Sequence, residues 1–200
     1  MLSASVSNID LFHMWRANED LDVGWLLNRL TGAEPQTEQM KAGEAFHKIL
    51  ETPMFEEQSE LTHGEFWFSI QCDILLELPA VRELPVEKRY GDLLVRGRVD
   101  GLNGKHIIDY KTTAQFDADR LMEGYQWRFY LDMVDCDTFT WKVFVLSQYG
   151  KPGHYDVTQT HELTQKRYPG LHEDCVRLAA DYADFTKTIG FVKEKEEAAI

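Results

Sequence analysis

Polar and apolar residues alternate on both sides of Asn103-Gly104, and this alternation is the clearest pattern in the chain. A period of two predicts a β-strand on each side. An Asn-Gly pair between two such runs is the strongest short-range hairpin signal, because both turn residues need a positive φ angle. With these two residues as the loop, Arg98 lies opposite Asp109 in the predicted hairpin.

The predicted hairpin has a charged face and an apolar face, since directly opposed residues and residues two apart on a strand share a face. The charged face carries Arg96, Arg98, Asp100, Asp109 and Lys111, and the apolar face carries Val95, Val99, Ile108 and Tyr110. Two carboxylates beside a lysine suit a hard divalent cation with a cationic helper. The alternative is a solvated strand face whose ion pairs add little stability.

Apolar residues at helical spacing predict a helix over 37–51 that carries His47, and a second helix over 117–134. Gln126 and Tyr130 are four residues apart in the second helix and therefore share a face. Taken alone, both patterns are more typical of surface or packing residues than of a site. The remaining pattern predicts helices over 7–17, 19–30 and 165–188, and Ser7 or Asn8 is the expected N-cap of the first. It predicts strands over 65–70, 81–90, 138–149 and 154–160, with 81–90 at an edge of the sheet because of Pro85. The last residues, 193–200, are expected to be frayed.

Four motifs in this order resemble the RecB-type exonuclease branch of the PD-(D/E)XK nuclease superfamily. They are Gly43-x-x-x-His47, Gly97-Arg98-Val99-Asp100, Asp109-Tyr110-Lys111 and Gln126-x-x-x-Tyr130, and the resemblance covers about residues 40–134. It implies an α/β (α+β mixed) fold with a restriction-endonuclease-like core, in which a central mixed β-sheet is flanked by helices. The length and the absence of a Pro/Gly/Ser-rich linker favour a single nuclease domain over 1–200, with a core of about 37–160, N-terminal helices over 7–30 and a C-terminal helix of about 165–188.

The same resemblance implies a role for each motif residue. Asp100 and Asp109 are expected to ligate Mg²⁺ or Mn²⁺ together with His47 and the main-chain carbonyl of Tyr110. Lys111 is expected to orient or deprotonate the attacking water or to stabilise charge on the phosphate, and partial desolvation is expected to lower its pKa. The residues expected to position DNA are Gln126, Tyr130, Arg96 and Arg98. A second ion would need another carboxylate, for which Glu44 and Glu87 are candidates.

The motif that names the superfamily has proline at the position of Val99. The RecB-type branch often lacks this proline, as this chain does. Some members of the branch hold an iron–sulfur cluster with four cysteines, whereas this chain has three scattered ones, so no cluster is expected. A G-x-x-x-x-G-K-[ST] phosphate loop does not occur, so no use of ATP is expected.

Charge and composition bear on the partner and the compartment. The formal net charge of −13 would repel DNA from the chain as a whole, so the basic residues near the hairpin are expected to form a local positive groove. No signal peptide or membrane span is indicated, which favours the cytoplasm of a bacterium or of a phage-infected host cell and no membrane partner.

The resemblance therefore implies a metal-dependent deoxyribonuclease that hydrolyses phosphodiester bonds, in particular a stand-alone DNA exonuclease of phage-type recombination or genome maintenance. Its expected partner is the DNA substrate, and a second copy of the chain or a recombination protein is a further candidate. The alternatives are a structure-specific endonuclease, a non-catalytic DNA-binding or assembly module on the same fold, and an acidic protein that mimics nucleic acid.

Overall fold

The computed structural model describes residues 2–51, 60–73 and 79–190 of the 200. The helices of this part are α1 (Val6–Ala17), α2 (Val23–Thr31), α3 (Glu38–Leu50), α4 (Ala118–Glu123), α5 (Gln126–Val134) and α6 (Leu171–Thr188). The strands are β1 (Leu2–Ser5), β2 (Glu60–His63), β3 (Phe66–Ile70), β4 (Val81–Tyr90), β5 (Leu93–Asn103), β6 (His106–Thr113), β7 (Thr138–Gln148) and β8 (His154–Lys166). In these ranges, no helix has both the length and the apolar character that crossing a membrane requires.

All eight strands belong to one mixed sheet in the order β1-β5-β6-β7-β8-β3-β2, with β4 paired to β5. The β1–β5, β6–β7 and β3–β8 pairs are parallel, and the other pairs are antiparallel. In the described ranges β4 pairs with β5 alone, so the edge position predicted from Pro85 is confirmed.

Each face of the sheet has its own hydrophobic core. Helices α1, α2, α5 and α6 cover one face, where Trp141 and Phe139 are fully buried with Phe129. Helix α3 covers the other face, where Phe46 packs against Phe68 and Phe144 of the sheet. The two layers of helices hold the sheet between them because each buries the apolar side of the strands it contacts.

The hairpin turn differs from the predicted turn by one residue. Asn103 pairs with His106, so the loop consists of Gly104, whose φ is 57°, and Lys105. Asn103 stays in the strand because its side-chain oxygen accepts a hydrogen bond from the backbone N–H of Ala80 at 2.6 Å. The predicted register, with Arg98 opposite Asp109, is therefore wrong.

The predicted apolar face of the hairpin is divided between the two cores. Val95 and Val99 pack with the helices of the first core, whereas Ile108 and Tyr110 pack in the second. The regular alternation of side chains between the two faces of the sheet is interrupted between Val99 and Gly101. At this point Asp100 of β5 and Glu83 of β4 are left out of the β4–β5 pairing. The break allows the side chain of Asp100 to leave the regular strand pattern.

The predicted helix over 117–134 is two helices, α4 and α5. The chain turns at Gly124-Tyr125 because Asp10 of α1 accepts the backbone N–H groups of Tyr125 and Gln126, the latter at 3.1 Å. A carboxylate at this position satisfies free N–H groups at the start of α5.

Helix boundaries differ from the predicted ones at three further places. The first N-cap is Ser5, whose side chain accepts the N–H of Asn8, rather than Ser7 or Asn8. Helix α2 begins after its N-cap, Asp22, and not at residue 19. The last helix begins at Leu171 and not at 165, because β8 pairs with β7 as far as Lys166. The residues predicted to be frayed, 193–200, lie outside the described residues.

A buried carboxylate joins α5 to the strand and helix beside it. Asp132 is 5% exposed, and it accepts hydrogen bonds from Lys88 Nζ at 2.9 Å and from the Tyr90 hydroxyl at 2.7 Å. His172 Nδ1 lies 3.0 Å from the same carboxylate. Burial alone would raise the pKa of Asp132, but hydrogen bonds from Lys88, His172 and Tyr90 outweigh it, so the pKa is lowered. This network holds in place the helix that carries Gln126 and Tyr130.

Candidate active site

The candidate site lies at a gap in the pairing of β5. On one edge of this strand, β1 pairs as far as Arg96, and β6 pairs only from Gly101 onward. Among the described residues, 97–100 therefore have no strand partner on that edge. The Asp100 side chain bridges to β6 instead, since its Oδ2 accepts the N–H of Tyr110 at 2.9 Å. The gap therefore places a carboxylate beside a stretch of β5 that is unpaired on that edge.

Gly97 of the second motif lies in this gap and allows Tyr130 to approach. A Cβ atom at this glycine would lie 2.5 Å from Cε1 of Tyr130, far inside normal contact. The Tyr130 hydroxyl accepts the N–H of Arg98 at 3.3 Å, and the side chain is 5% exposed. Burial and the nearby charge of Asp109 raise the pKa of Tyr130 to about 12. Tyr130 therefore supports the strand from within the core as a neutral hydroxyl.

His47 approaches Asp100 from α3. Its Nε2 atom lies 3.9 Å from Asp100 Oδ1. One turn earlier in the helix, Gly43 allows α3 to lie close to β6, because a Cβ atom there would be 2.5 Å from the side-chain oxygen of Thr112. The first motif thus combines a close contact between helix and sheet with an imidazole at the gap.

Asp109 and Lys111 form an ion pair on β6. Lys111 Nζ donates a hydrogen bond to Asp109 Oδ1 at 3.1 Å and lies 2.9 Å from Oδ2 without the geometry of a hydrogen bond. Oδ2 of Asp109 is buried and has no hydrogen-bond partner among the described residues. A buried carboxylate oxygen that lacks a donor is suited to receive a cation.

The charges of the protein itself raise the pKa of Lys111. Burial acts to lower it, but the negative charges of Asp109 and Asp100 outweigh burial. A cation on these carboxylates would reduce that influence, so the lowered pKa expected beside a metal stays a prediction.

The pKa of Asp100 is raised to about 7 by its environment. Burial has the largest effect, and repulsion from Asp109 adds to it, against the opposing influence of Lys111 and His47. Two carboxylates in a partly desolvated gap are an unfavourable arrangement unless positive charge is supplied, and a divalent cation would supply it.

The other predicted site residues occupy several positions around the gap. Gln126, at the start of α5, lines a cleft of about 260 Å³ together with Lys111 and Arg120. Tyr110 directs its N–H to Asp100 and its ring towards His47, with ring centroids 6.3 Å apart, and the ligand role of its carbonyl stays a prediction.

Arg96 and Arg98 are exposed on β5 and form ion pairs with carboxylates of β4. Arg96 Nε lies 3.3 Å from Glu87, and Arg98 Nη1 lies 3.2 Å from Glu83. Two further basic side chains that were expected to contribute to a positive groove pair with carboxylates away from the gap. Lys88 is bound to Asp132, and Lys105 to Asp135.

The sequence-based predictions missed Glu83. Among the described residues, one ligand atom from each of His47, Glu83 and Asp100 lies within 4.8 Å of the other two. The two carboxylates suggested from sequence for a second ion do not join this group: Glu87 is bound to Arg96, and Glu44 to Gln36. Nothing in the alternation of β4 distinguishes Glu83, because its position depends on the pairing of β4 with β5.

The donor set fits a hard divalent cation. Carboxylate oxygens are the ligands that Mg²⁺ prefers, and an imidazole beside them also suits Mn²⁺. The raised pKa of Asp100 indicates that its carboxylate lacks full compensation by positive charge. His47 and Asp100 belong to the group of ligand atoms within 4.8 Å of one another, whereas Asp109 does not and is paired with Lys111 instead. The role of Asp109 as a metal ligand therefore stays a prediction.

Comparisons with known proteins identify the fold. No protein-family model matches the chain, and no curated protein matches it significantly. Among solved structures, the chain is similar to SSO0001, with a TM-score of 0.51 and 13% identity over 94% of this chain and 78% of that one. It is also similar to LHK-Exo, an alkaline exonuclease from Laribacter hongkongensis, with a TM-score of 0.51 and 9% identity over 93% of this chain and 88% of that one. The predicted fold class is confirmed: a restriction-endonuclease-like core with a central mixed sheet flanked by helices.

Proposed function

We propose that this protein is a metal-dependent deoxyribonuclease, and that it acts as a DNA exonuclease. The observation that supports this proposal is the convergence of His47, Asp100 and the Asp109–Lys111 pair at the gap between β5 and β6. A fold alone does not define an activity. These side chains, rather than the likeness to an exonuclease structure, therefore carry the proposal.

The proposed cofactor is Mg²⁺ or Mn²⁺, held by Asp100, Asp109 and His47. A divalent cation in such a site acidifies a bound water and acts as a Lewis acid towards the phosphate. The carboxylates contribute by supplying anionic oxygens in a partly buried position, and Asp100 is held in place by the N–H of Tyr110. Lys111, beside the gap, would orient or deprotonate the attacking water, or donate hydrogen bonds to the phosphate oxygens on which negative charge develops.

The proposed DNA path runs over the cleft that Lys111 shares with Gln126 and Arg120. The amide of Gln126 offers a donor and an acceptor, and Arg120 offers a charge for the phosphate backbone. Arg98 and Arg96 extend this path along β5. Action from a DNA end, a place in phage-type recombination or genome maintenance, and a bacterial or phage-infected host cytoplasm are the finer parts of the proposal, and they follow the family resemblance.

The test is digestion of DNA by the purified chain with Mg²⁺, Mn²⁺ or EDTA. End-labelled linear DNA and closed circular DNA, each single- and double-stranded, are compared for wild type, Asp109→Asn and Lys111→Met. Both variants are expected to lose activity by at least about 100-fold, as for groups that act on the reacting atoms. Lys105→Met, in the turn of the same hairpin, is the matched control and is expected to keep wild-type activity.

Each outcome decides a different part of the proposal. Metal-dependent release of nucleotides from linear DNA, with circular DNA intact, supports an exonuclease. Cleavage of the circles supports the endonuclease alternative instead. Folded protein that leaves all DNA intact with either metal overturns the proposal in favour of a non-catalytic module, and activity that survives both variants places the active site elsewhere.

A further inference from the structure

We infer that Glu83 of β4 is an additional ligand of the proposed metal, a role that lies outside the four motifs of the sequence. The inference rests on the proposed function, since it concerns the same ion. It is carried by the arrangement of three side chains from three different elements: His47 from α3, Glu83 from β4 and Asp100 from β5.

The distances between these side chains match those between ligands of one ion. His47 Nε2 lies 3.6 Å from Glu83 Oε1 and 3.9 Å from Asp100 Oδ1. With bonds of about 2.1 Å, neighbouring ligands of octahedral Mg²⁺ lie about 3.0 Å apart and opposite ligands about 4.2 Å apart. The two distances from His47 Nε2 fall between these limits, and the ligand atoms of Glu83 and Asp100 lie within 4.8 Å of each other. Small side-chain rotations would bring all three atoms to one ion.

In each of the two carboxylates, Glu83 and Asp100, one oxygen accepts a hydrogen bond, and the other, here called the inner oxygen, faces His47. Glu83 Oε2 accepts a hydrogen bond from Arg98 Nη1 at 3.2 Å, and Asp100 Oδ2 accepts the N–H of Tyr110 at 2.9 Å. The inner atoms, Glu83 Oε1 and Asp100 Oδ1, face His47 Nε2, and neither accepts a hydrogen bond from a described residue. This is the arrangement expected of ligands that are oriented by outer partners.

Glu51 also lies beside His47, but both of its carboxylate oxygens already accept hydrogen bonds. Glu51 Oε1 is 3.7 Å from His47 Nε2, but Lys48 Nζ donates to both of its oxygens, at 2.7 and 3.0 Å. Glu51 is therefore neutralised by its own ion pair. Glu83 and Asp100 are the carboxylates whose inner oxygens remain available beside His47.

The backbone of Glu83 has an unusual conformation at the same position. Its φ angle is 50°, a left-handed conformation that residues with a side chain seldom adopt. The β4–β5 ladder pairs the residues on both sides of Glu83 and Asp100 and skips these two. An unfavourable conformation persists only where the surrounding structure maintains it, and such positions cluster at functional sites.

The experiment is a titration of the metal-free chain with Mn²⁺ in the absence of DNA. Isothermal calorimetry gives the affinity, and electron paramagnetic resonance gives the fraction of bound Mn²⁺. Glu83→Gln is compared with Glu87→Gln, which lies on the same strand and also pairs with an arginine of β5. Glu83→Asp, which keeps the charge on a shorter side chain, and Asp100→Asn complete the set.

Glu83→Gln is expected to weaken Mn²⁺ binding by at least about 10-fold, as even outer partners of metal ligands do when replaced. Glu83→Asp should give an intermediate affinity, and Glu87→Gln should stay within about twofold of wild type because its ion pair is exposed. The metal-free Glu83→Gln protein should stay folded, because the glutamine side-chain oxygen can still accept the hydrogen bond from Arg98, and circular dichroism checks this.

The outcomes separate this inference from the proposed function. If Glu83→Gln and Glu83→Asp bind Mn²⁺ as wild type does while Asp100→Asn does not, Glu83 is not a ligand and the proposed metal site stands. If wild type and Asp100→Asn bind Mn²⁺ equally, or neither binds it, the metal site itself is wrong and the inference about Glu83 fails with it.

Discussion

Replacing Gly97 by alanine is expected to destabilise the protein, because Tyr130 occupies the space that a side chain needs. A Cβ atom at this position would lie 2.5 Å from Cε1, 3.0 Å from the hydroxyl oxygen and 3.1 Å from Cζ of Tyr130. Carbon atoms in contact are about 3.5–4.0 Å apart, so strand and ring must separate by about 1 Å. The ring has little freedom, since it is buried and stacked on Phe139 at an interplanar angle of 7°.

The magnitude follows from three contributions. Overpacking of a well-packed core costs about 1–3 kcal/mol. Loss of the hydrogen bond from the Arg98 N–H to the Tyr130 hydroxyl costs about 1 kcal/mol, and the lower backbone entropy of unfolded alanine restores about 0.5–1 kcal/mol. The expected loss in the free energy of unfolding is about 2 kcal/mol, which for a chain of this length lowers Tm by roughly 4–8 °C.

A double-mutant cycle tests the origin of this loss. Urea unfolding, followed by circular dichroism, is measured for wild type, Gly97→Ala, Tyr130→Leu and the double variant. Because leucine leaves room for the new Cβ atom, Gly97→Ala should cost at least about 1 kcal/mol less in the Tyr130→Leu background. Gly24→Ala, at an exposed position of α2, is the control: its Cβ atom would meet the exposed Asp22 carboxylate at 3.1 Å and no buried ring, so it should cost less than Gly97→Ala. Additive costs in the cycle, or a Gly97→Ala protein as stable as wild type, would refute the reasoning.

Three further expectations concern the scaffold of the site. Gly43→Ala should lower the free energy of unfolding by about 1 kcal/mol through its contact with Thr112, and Thr112→Ala should relieve the loss in the same urea assay. Asp132→Asn should cost about 3 kcal/mol because it breaks a buried network, whereas Asp135→Asn, at an exposed ion pair, should change stability little; equal effects would contradict this distinction. Because the native pKa of Asp132 is lowered from an unfolded value of about 3.9, its contribution is complete above that pH and is lost as the pH falls through the native pKa. The stability difference between wild type and Asp132→Asn should therefore shrink below about pH 4, and a difference that grows on acidification would show that the sign is wrong.

The local pattern of the chain was sufficient for most elements and for the order of the motifs. The period of two predicted β4 with its correct limits, and the Asn103-Gly104 pair placed the hairpin turn within one residue. These signals are local, because strand alternation and turn preference depend on neighbours only a few residues away. The candidate residues also came from the sequence, since residue types and their order along the chain carried the family resemblance.

Where the predictions failed, a distant residue decided the outcome. The bond from Ala80 to Asn103 shifted the turn, and Asp10 separated α4 from α5 although more than a hundred residues lie between them. Pairing with β7 extended β8 into the segment predicted as helix. Local propensity is a weak guide wherever hydrogen bonds from remote parts of the chain are available.

The sequence by itself determined which residue types are available for chemistry, namely His47, Asp100, Asp109 and Lys111, and in which elements they lie. Only the tertiary structure decided which carboxylates shift the pKa of Lys111 and placed Glu83 beside His47 and Asp100. Both depend on distances between strands and helices that are far apart in the chain. Electrostatic interactions act over those distances in space, and no pattern of neighbouring residues records them.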